Sequence, residues 1–323
     1  MSQEPLPRAY AARRFTAEYE QAMDARYAVT RNEADGVLDP VALAKAAEGA
    51  QVLFVSLTEK VTAEVIAHLV PTLQVIATLS VGVEHIDLEA ARRFGVKVLN
   101  TPDVLSEATA EVAVMLMLNA CRRAHESDHL VRSGEWTGWA PRQMLGLGLK
   151  GRRLGILGLG RIGKEVARRA APFGLQIHYH NRRPLTEDAA QGAIYHAASD
   201  DLLRHSDIFC ITAPSTPELK GFLDARRIAL LPPQAVVVNV ARGDMVDDEA
   251  LIGGLQSGHL FAAGLDVYRG EPNLDPRYRT LPNVFLLPHI GSATFDTRNA
   301  MGFVLLEGLT TLDAGERPAN QVV

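Results

Sequence analysis

The chain has 323 residues, 47% of them apolar, and a formal net charge of −5. That is room for two medium domains with sizeable cores. The negative balance argues against a nucleic-acid or anionic-membrane surface as the main business.

The two cysteines, Cys121 and Cys210, sit in apolar runs and read as core thiols in a reducing compartment. The opening MSQEPLPRAYAARRF lacks the apolar core of a secretory signal. No apolar stretch approaches the roughly 18 residues of a membrane span. A cytoplasmic protein is expected, with no membrane and no nucleic-acid partner.

Short β-branched runs alternate with helical patterns from end to end, which predicts α/β units around parallel sheets. RAYAARR is a weak first strand. Firmer strands follow at 51–56 (QVLFVS), 73–80 (LQVIATLS) and 96–100 (VKVLN), with helical TAEVIAHLV and DLEAARRF between them and Thr62 and Asp87 at their N-caps. Three or four strands before residue 100 predict a small flavodoxin-like sheet.

SEATAEVAVMLMLNACRRAHESDHLVRSG reads as one long, mostly buried helix. A looser segment, EWTGWAPRQMLGLGLKG, leads to six further strands at 153–158, 176–180, 207–213, 235–241, 262–267 and 284–290, and a last helix begins near Thr294. Six strands in this pattern match a dinucleotide-binding sheet. Periodicity alone leaves open which sheet the two long helices join.

The turn Gly158-Leu159-Gly160-Arg161-Ile162-Gly163 fits G-x-G-x-x-G between an apolar strand and a helix with Ile162, Val166 and Ala170 on one face. Gly158 permits the tight turn, Gly160 lets the backbone approach a pyrophosphate, and Gly163 allows close helix–strand packing. The helix N-terminus adds amide donors and a positive dipole end. FAD and S-adenosylmethionine use similar loops, so the turn alone does not choose the ligand.

Ligands of open α/β sheets lie beyond the carboxyl ends of the strands. There the sequence puts Arg242, Asp266 with Glu271 in the following loop, and His289. An arginine fork matches a carboxylate. A histidine can give or take the proton of an alcohol or carbonyl, and a nearby carboxylate fixes its tautomer. With a nicotinamide to carry hydride, the set suits a 2-hydroxyacid.

At these residues the chain resembles the D-isomer-specific 2-hydroxyacid dehydrogenases. GLGRIG, NVARGDMVDDEAL, AAGLDVYRGEP and LPHIGSAT look like that family's successive signatures, over a stretch from about residue 50 to the end. SVGVEHIDL, NTPDVLSEATAEVAV, EWTGWAPRQMLG and LPHIGSATFDTRN look most like its glyoxylate/hydroxypyruvate reductases.

The resemblance implies a Rossmann coenzyme domain, residues 104–290, inserted in a smaller flavodoxin-like substrate domain made of 1–103 plus 291–323. It also implies homodimers formed through the coenzyme domain. Arg242 would bind a small 2-oxoacid, with the Val81 and Gly82 amides on its carboxylate. Glu271 would support His289 as acid/base, Asp266 would meet the nicotinamide amide, and Thr109 the coenzyme phosphates. Glu84 stands where the family more often has Asp, and the first 45 residues match poorly. Other family chemistry, on phosphite or another 2-hydroxyacid, and a nucleotide-sensing corepressor scaffold are the alternatives.

NAD-specific sites commonly place an acid after the second strand, where this chain reads His180-Asn181-Arg182-Arg183. Neutral Asn181 does not repel a 2′-phosphate, and Arg182 and Arg183 can clamp one. NADPH is expected ahead of NADH. His178 and His180 share one strand face but lack further ligands nearby, so no metal is expected. Trp136 and Trp139 are either packing aromatics or a cap on a partner's active site.

Overall fold

The computed structural model describes residues 5–323. The chain divides into two compact units. One comprises the described residues up to Leu105 together with Ala293–Val323; the other is Ser106–Ser292.

The first unit holds β1 (Arg8–Ala11), β2 (Ala28–Arg31), β3 (Val52–Val55), β4 (Val75–Thr78) and β5 (Lys97–Leu99), all parallel, in the order β2-β1-β3-β4-β5. This is the flavodoxin-like order. β3 and β4 are buried along their whole length, as central strands covered on both faces must be.

Helices Pro40–Ala46, Ala63–Leu69 and Leu88–Phe94 cover one face with Leu43, Val65, Ile66 and Ala90. Helix Ala17–Asp24 and the C-terminal helix Phe295–Asp313 cover the other with Tyr19, Met23, Met301, Leu305 and Leu309. Thr62, Asp87 and Thr294 cap their helices, accepting from the Val65, Ala90 and Thr297 amides at 3.5, 2.8 and 3.1 Å.

RAYAARR does supply a strand. β2 is a fifth that the pattern did not announce: this edge strand contains no fully buried residue, so it has no apolar run to betray it.

The second unit holds β6 (Arg153–Leu157), β7 (Gln176–His180), β8 (Ile194–Tyr195), β9 (Ile208–Ile211), β10 (Ala235–Asn239), β11 (Leu260–Leu265) and β12 (Val284–Leu286). They run parallel in the order β12-β11-β10-β9-β6-β7-β8. Counted from β6, the first six strands follow the 3-2-1-4-5-6 Rossmann order, and β12 extends the sheet. Seven strands replace the expected six because β8, only two residues long, closes one edge beside β7.

Helix Ser106–Arg122 packs on β10 and β11, with Ala110, Ala113, Leu116 and Met117 in one core with Val236, Val238 and Ala262. The first long helix therefore belongs to this sheet and the last to the other.

The expected single helix after residue 105 is two, Ser106–Arg122 and Ala124–Arg132, broken at Arg123 in the left-handed region (φ 52°). The cause is competition for one hydrogen bond. The Cys121 carbonyl, which the His125 amide would take in a continuous helix, accepts from Leu147 at 2.7 Å instead. The His125 amide turns to Asn119 Oδ1 at 3.3 Å. Both cysteines are buried and unpaired, and burial pushes their thiols up to about 12. Among the described residues no helix is long and apolar enough to cross a membrane.

Candidate active site

β6 buries Leu154, Ile156 and Leu157, then turns at Gly158 (φ +97°). A Cβ at Gly158 would meet the Ala213 backbone at 2.6 Å, and one at Gly163 would collide with the Gly158 carbonyl. Gly163 lets the turn close on itself, and Gly158 lets it lie against the chain beyond β9 (Ile208–Ile211). Nothing lies within 4 Å of where a Gly160 Cβ would stand. The turn is thus tight on the protein side and open on the outer side, where the helix Arg161–Ala170 begins. Val166 and Ala170 are buried with Ile162 packed beside them, Leu159 is buried, and Arg161 is exposed. An open glycine over a helix N-terminus fits a dinucleotide pyrophosphate.

Asn181, just past β7, accepts from the Leu159 amide through Oδ1 at 2.7 Å, and its Nδ2 lies 3.4 Å from the Leu159 carbonyl. The residue in the place of an acid thus ties the second strand to the glycine turn. Arg182 and Arg183 follow it, both exposed. The Glu218 carboxyl is held below its usual range by the Thr216 hydroxyl first, with the Arg182 charge contributing.

The carboxyl ends of β10, β11 and β12 carry the remaining set. Asn239 is fully buried at the end of β10; it donates to the Arg242 carbonyl at 2.9 Å and accepts from the Ala241 amide at 3.0 Å, shaping the turn that presents half-buried Arg242. The Arg242 Nη1 donates back to the Ala241 carbonyl at 2.8 Å. Gly243 lies directly on the Tyr268 and Arg269 backbone, with no room for a Cβ, so the Arg242 turn is pressed against the loop that carries Glu271.

His289 Nδ1 is 2.8 Å from Glu271 Oε2, and Glu271 Oε1 accepts from the Tyr268 amide at 2.7 Å. Burial alone would raise the Glu271 carboxyl. The His289 hydrogen bond, the Tyr268 amide and the His289 and Arg242 charges outweigh it and hold the carboxyl below its usual range. With Nδ1 on the carboxylate, Nε2 is the ring nitrogen left for a ligand.

His289 itself adopts φ +55°, an uncommon conformation for a side chain of its size. Asp266, 1% exposed, fixes that turn: its carbonyl accepts from the His289 amide at 2.9 Å, Oδ1 from Ile290 at 2.7 Å and Oδ2 from Gly291 at 2.8 Å. Burial pushes the Asp266 carboxyl up, and these amides and the His289 charge offset only part of that. The buried Thr109 hydroxyl donates to the Gly291 carbonyl at 3.1 Å. The side chains of Asp266 and Thr109, expected at the coenzyme, are thus engaged in the turn that carries His289.

Val81 and Gly82 belong to the other unit, beyond the end of β4, with Val81 42% exposed. Trp136 and Trp139 are 51% and 82% exposed, so neither is a core aromatic of this chain. Among the described residues no group of three or more His, Cys, Asp or Glu side chains is arranged to hold a metal ion.

Two contributors escaped the sequence reading. Asn239 shapes the Arg242 turn, and a polar residue ending the apolar run AVVVN was its only signal. Tyr268 has its hydroxyl 3.0 and 2.8 Å from the Leu265 and Leu287 carbonyls, joining the chain beyond β11 to that beyond β12, and nothing in the sequence marks it.

Residues 114–291 match the NAD binding domain of the D-isomer specific 2-hydroxyacid dehydrogenases. The chain is 42% identical over 257 residues to a glycerate dehydrogenase of Hyphomicrobium methylovorum, covering 79% of this chain and 80% of that one. It matches the crystal structure of a D-isomer specific, NAD-binding 2-hydroxyacid dehydrogenase from Polaromonas sp. JS6 66 with a TM-score of 0.96 and 57% identity, over 99% of this chain and 100% of that one. It also matches an NADPH-dependent glyoxylate/hydroxypyruvate reductase from Sinorhizobium meliloti, solved with NADP and malonate, with a TM-score of 0.87 and 31% identity over 98% and 97%. A glycine turn built for a dinucleotide, a histidine–carboxylate pair beside an arginine at neighbouring strand ends, and these matches lead to one conclusion: the chain belongs to the D-isomer specific 2-hydroxyacid dehydrogenase family and is an enzyme of that class.

Proposed function

We propose that this enzyme reduces a small 2-oxoacid, glyoxylate or hydroxypyruvate, to the D-2-hydroxyacid, with NADPH preferred and NADH second. The observation that carries the reading is the His289–Glu271 pair, 2.8 Å apart, on the same edge of the sheet as Arg242 and the glycine turn.

The Arg242 guanidinium and the Val81 and Gly82 amides take the substrate carboxylate. Glu271 holds Nδ1–H, so the His289 proton available for transfer is on Nε2. That proton goes to the carbonyl oxygen, leaving neutral imidazole and an alcohol. The nicotinamide coenzyme, when bound, supplies the hydride that goes to the carbonyl carbon. Asp266 and Thr109 hold the His289–Gly291 turn, and each keeps lone pairs for a coenzyme contact.

The coenzyme preference rests on neutral Asn181 and on exposed Arg182 and Arg183 at the end of β7. The name of the S. meliloti relative supports both the substrate and the coenzyme. We assign the seven-stranded unit to the coenzyme and the five-stranded unit to the substrate. Homodimers are the expected assembly, with Trp136 and Trp139 at the contact.

The deciding experiment is a panel of 2-oxoacids assayed with NADPH and with NADH. Glyoxylate and hydroxypyruvate with NADPH should give the highest kcat/KM. Absence of coenzyme oxidation with every 2-oxoacid would overturn the assignment.

A further inference from the structure

We infer that Thr78, Ser80, His85 and Asn100 are positioning residues for the loop that carries the Val81 and Gly82 amides: Asn100 aims the Gly82 N–H by holding the Val81 carbonyl, and a hydrogen-bond relay of fixed direction from His85 anchors the next peptide of the loop at the Gly82 carbonyl. The inference rests on the proposed carboxylate-holding role of those two amides.

Three successive carbonyls in this loop are pinned. The Ser80 carbonyl accepts from the Thr101 amide at 2.9 Å. The Val81 carbonyl accepts from Asn100 Nδ2 at 2.8 Å, and the Gly82 carbonyl from the Ser80 hydroxyl at 2.7 Å. In a trans peptide the N–H of the next residue points opposite to the carbonyl. Holding these three oxygens therefore sets the directions of the Val81, Gly82 and Val83 N–H groups. Successive amides facing one way make an anion site.

Proton counting fixes the rest of the chain. The Ser80 hydroxyl has one hydrogen, and a carbonyl can only accept, so that hydrogen goes to Gly82. Thr78 Oγ1, 2.8 Å from Ser80 Oγ, must then be the donor to it. Thr78 Oγ1 also lies 2.9 Å from His85 Nε2, and with its own hydrogen committed it must accept there. The relay runs His85 Nε2–H to Thr78, Thr78 to Ser80, Ser80 to the Gly82 carbonyl, and it requires a proton on Nε2. Thr78 and Ser80 are buried while Val81 is exposed, so the relay is a fixed base beneath an exposed loop.

The test is the steady-state KM of the best 2-oxoacid in Thr78→Val, Thr78→Ser and Asn100→Ala, with the coenzyme KM and melting temperature measured on the same samples. Thr78→Val removes the relay's middle hydroxyl at nearly constant shape, and Asn100→Ala frees the Val81 carbonyl.

Each should raise the 2-oxoacid KM about tenfold, the worth of one well-placed hydrogen bond, with the coenzyme KM unmoved. Thr78→Ser should bring the KM back to within about twofold by keeping the hydroxyl. An unchanged 2-oxoacid KM in folded Thr78→Val and Asn100→Ala, or a parallel rise in the coenzyme KM, would overturn the inference. Should Thr78→Val fail to fold, Asn100→Ala decides alone. If the unaltered enzyme reduces no 2-oxoacid, it is the proposed function that has failed.

Discussion

The side chain of Asn181 is bound to the backbone of Leu159, accepting its amide at 2.7 Å, so the residue facing the adenosine end of the proposed coenzyme site also sets the shape of the glycine turn. An aspartate there could still accept from the Leu159 amide; it would lose only the weaker donation to the Leu159 carbonyl, now 3.4 Å. Asn181→Asp should therefore keep the turn and change the charge. We expect it to move preference from NADPH toward NADH.

Arg182→Ala should weaken NADPH by about ten- to a hundredfold, one charge-assisted hydrogen bond, and leave NADH nearly unchanged. Arg183→Ala should act in the same direction. Equal kcat/KM for the two coenzymes in the unaltered enzyme would show that the arginines do not read a 2′-phosphate.

The His289–Glu271 pair makes a prediction in rate and another in stability. His289→Ala should lower turnover by about 10² to 10⁴, the usual worth of general acid–base catalysis. Glu271 is depressed below its ordinary 4.5, so the stability it contributes is present above that value and is lost as pH falls through the lower, folded-state value. The melting-temperature gap between the wild type and Glu271→Gln should persist through the mildly acid range, down to the ordinary carboxylate range. It should narrow only below the ordinary carboxylate range. A gap that closes already near neutrality would show that Glu271 is not ionised in this pair.

Asp266 holds two consecutive amides, Ile290 and Gly291, one on each carboxylate oxygen. In Asp266→Asn one of them faces an NH₂ group and loses its acceptor, with a penalty of about 1–3 kcal/mol for a buried donor. His289 sits next to these amides at φ +55°, a backbone that persists only while its surroundings hold it. Turnover should therefore fall even though the substituted side chain is not the proton donor. Unaltered turnover in a destabilised Asp266→Asn would mean that the turn keeps His289 in place without the carboxylate.

What the sequence disclosed follows from which signals are local. Apolar runs such as AVVVN, and Arg242 and His289 just past strands, are visible because strand ends and ligand sites coincide in open sheets. The glycine turn was visible because steric need at Gly158 and Gly163 leaves only one residue type. What stayed hidden was decided by partners distant in the chain. The helix break at Arg123 depends on Leu147 capturing the Cys121 carbonyl. The occupation of Asn181 by Leu159, and of Asp266 and Thr109 by the His289–Gly291 turn, likewise needs the folded backbone. The edge strands β2 and β8 are short and partly exposed, and propensity is weakest there.

The last prediction concerns a histidine stack at the β7 edge. His178 Nδ1 is 2.9 Å from His196 Nε2, and the His178, His196 and His205 rings lie with centroids 5.0–6.2 Å apart. A hydrogen bond between two imidazole nitrogens needs one donor and one acceptor, so the His178–His196 contact fails when both rings are protonated. Burial, then the charges of His196, His205 and Arg153, pull His178 down to about 4 against the opposing charge of Asp207. His196 is lowered too, by burial first and then by His205, with Asp201 opposing and His180 adding to the fall. An unfolded histidine titrates near the ordinary 6.5. Between 6.5 and about 4 the unfolded chain takes up protons that the folded one refuses, so stability falls with pH across that window. Above 6.5 the stack contributes its full share. Thermal unfolding should show a melting temperature that drops between neutrality and about pH 5. In His178→Leu, which removes the most depressed group, that drop should be smaller. An equal drop in the two proteins would show that the acid sensitivity lies elsewhere, in the paired carboxylates.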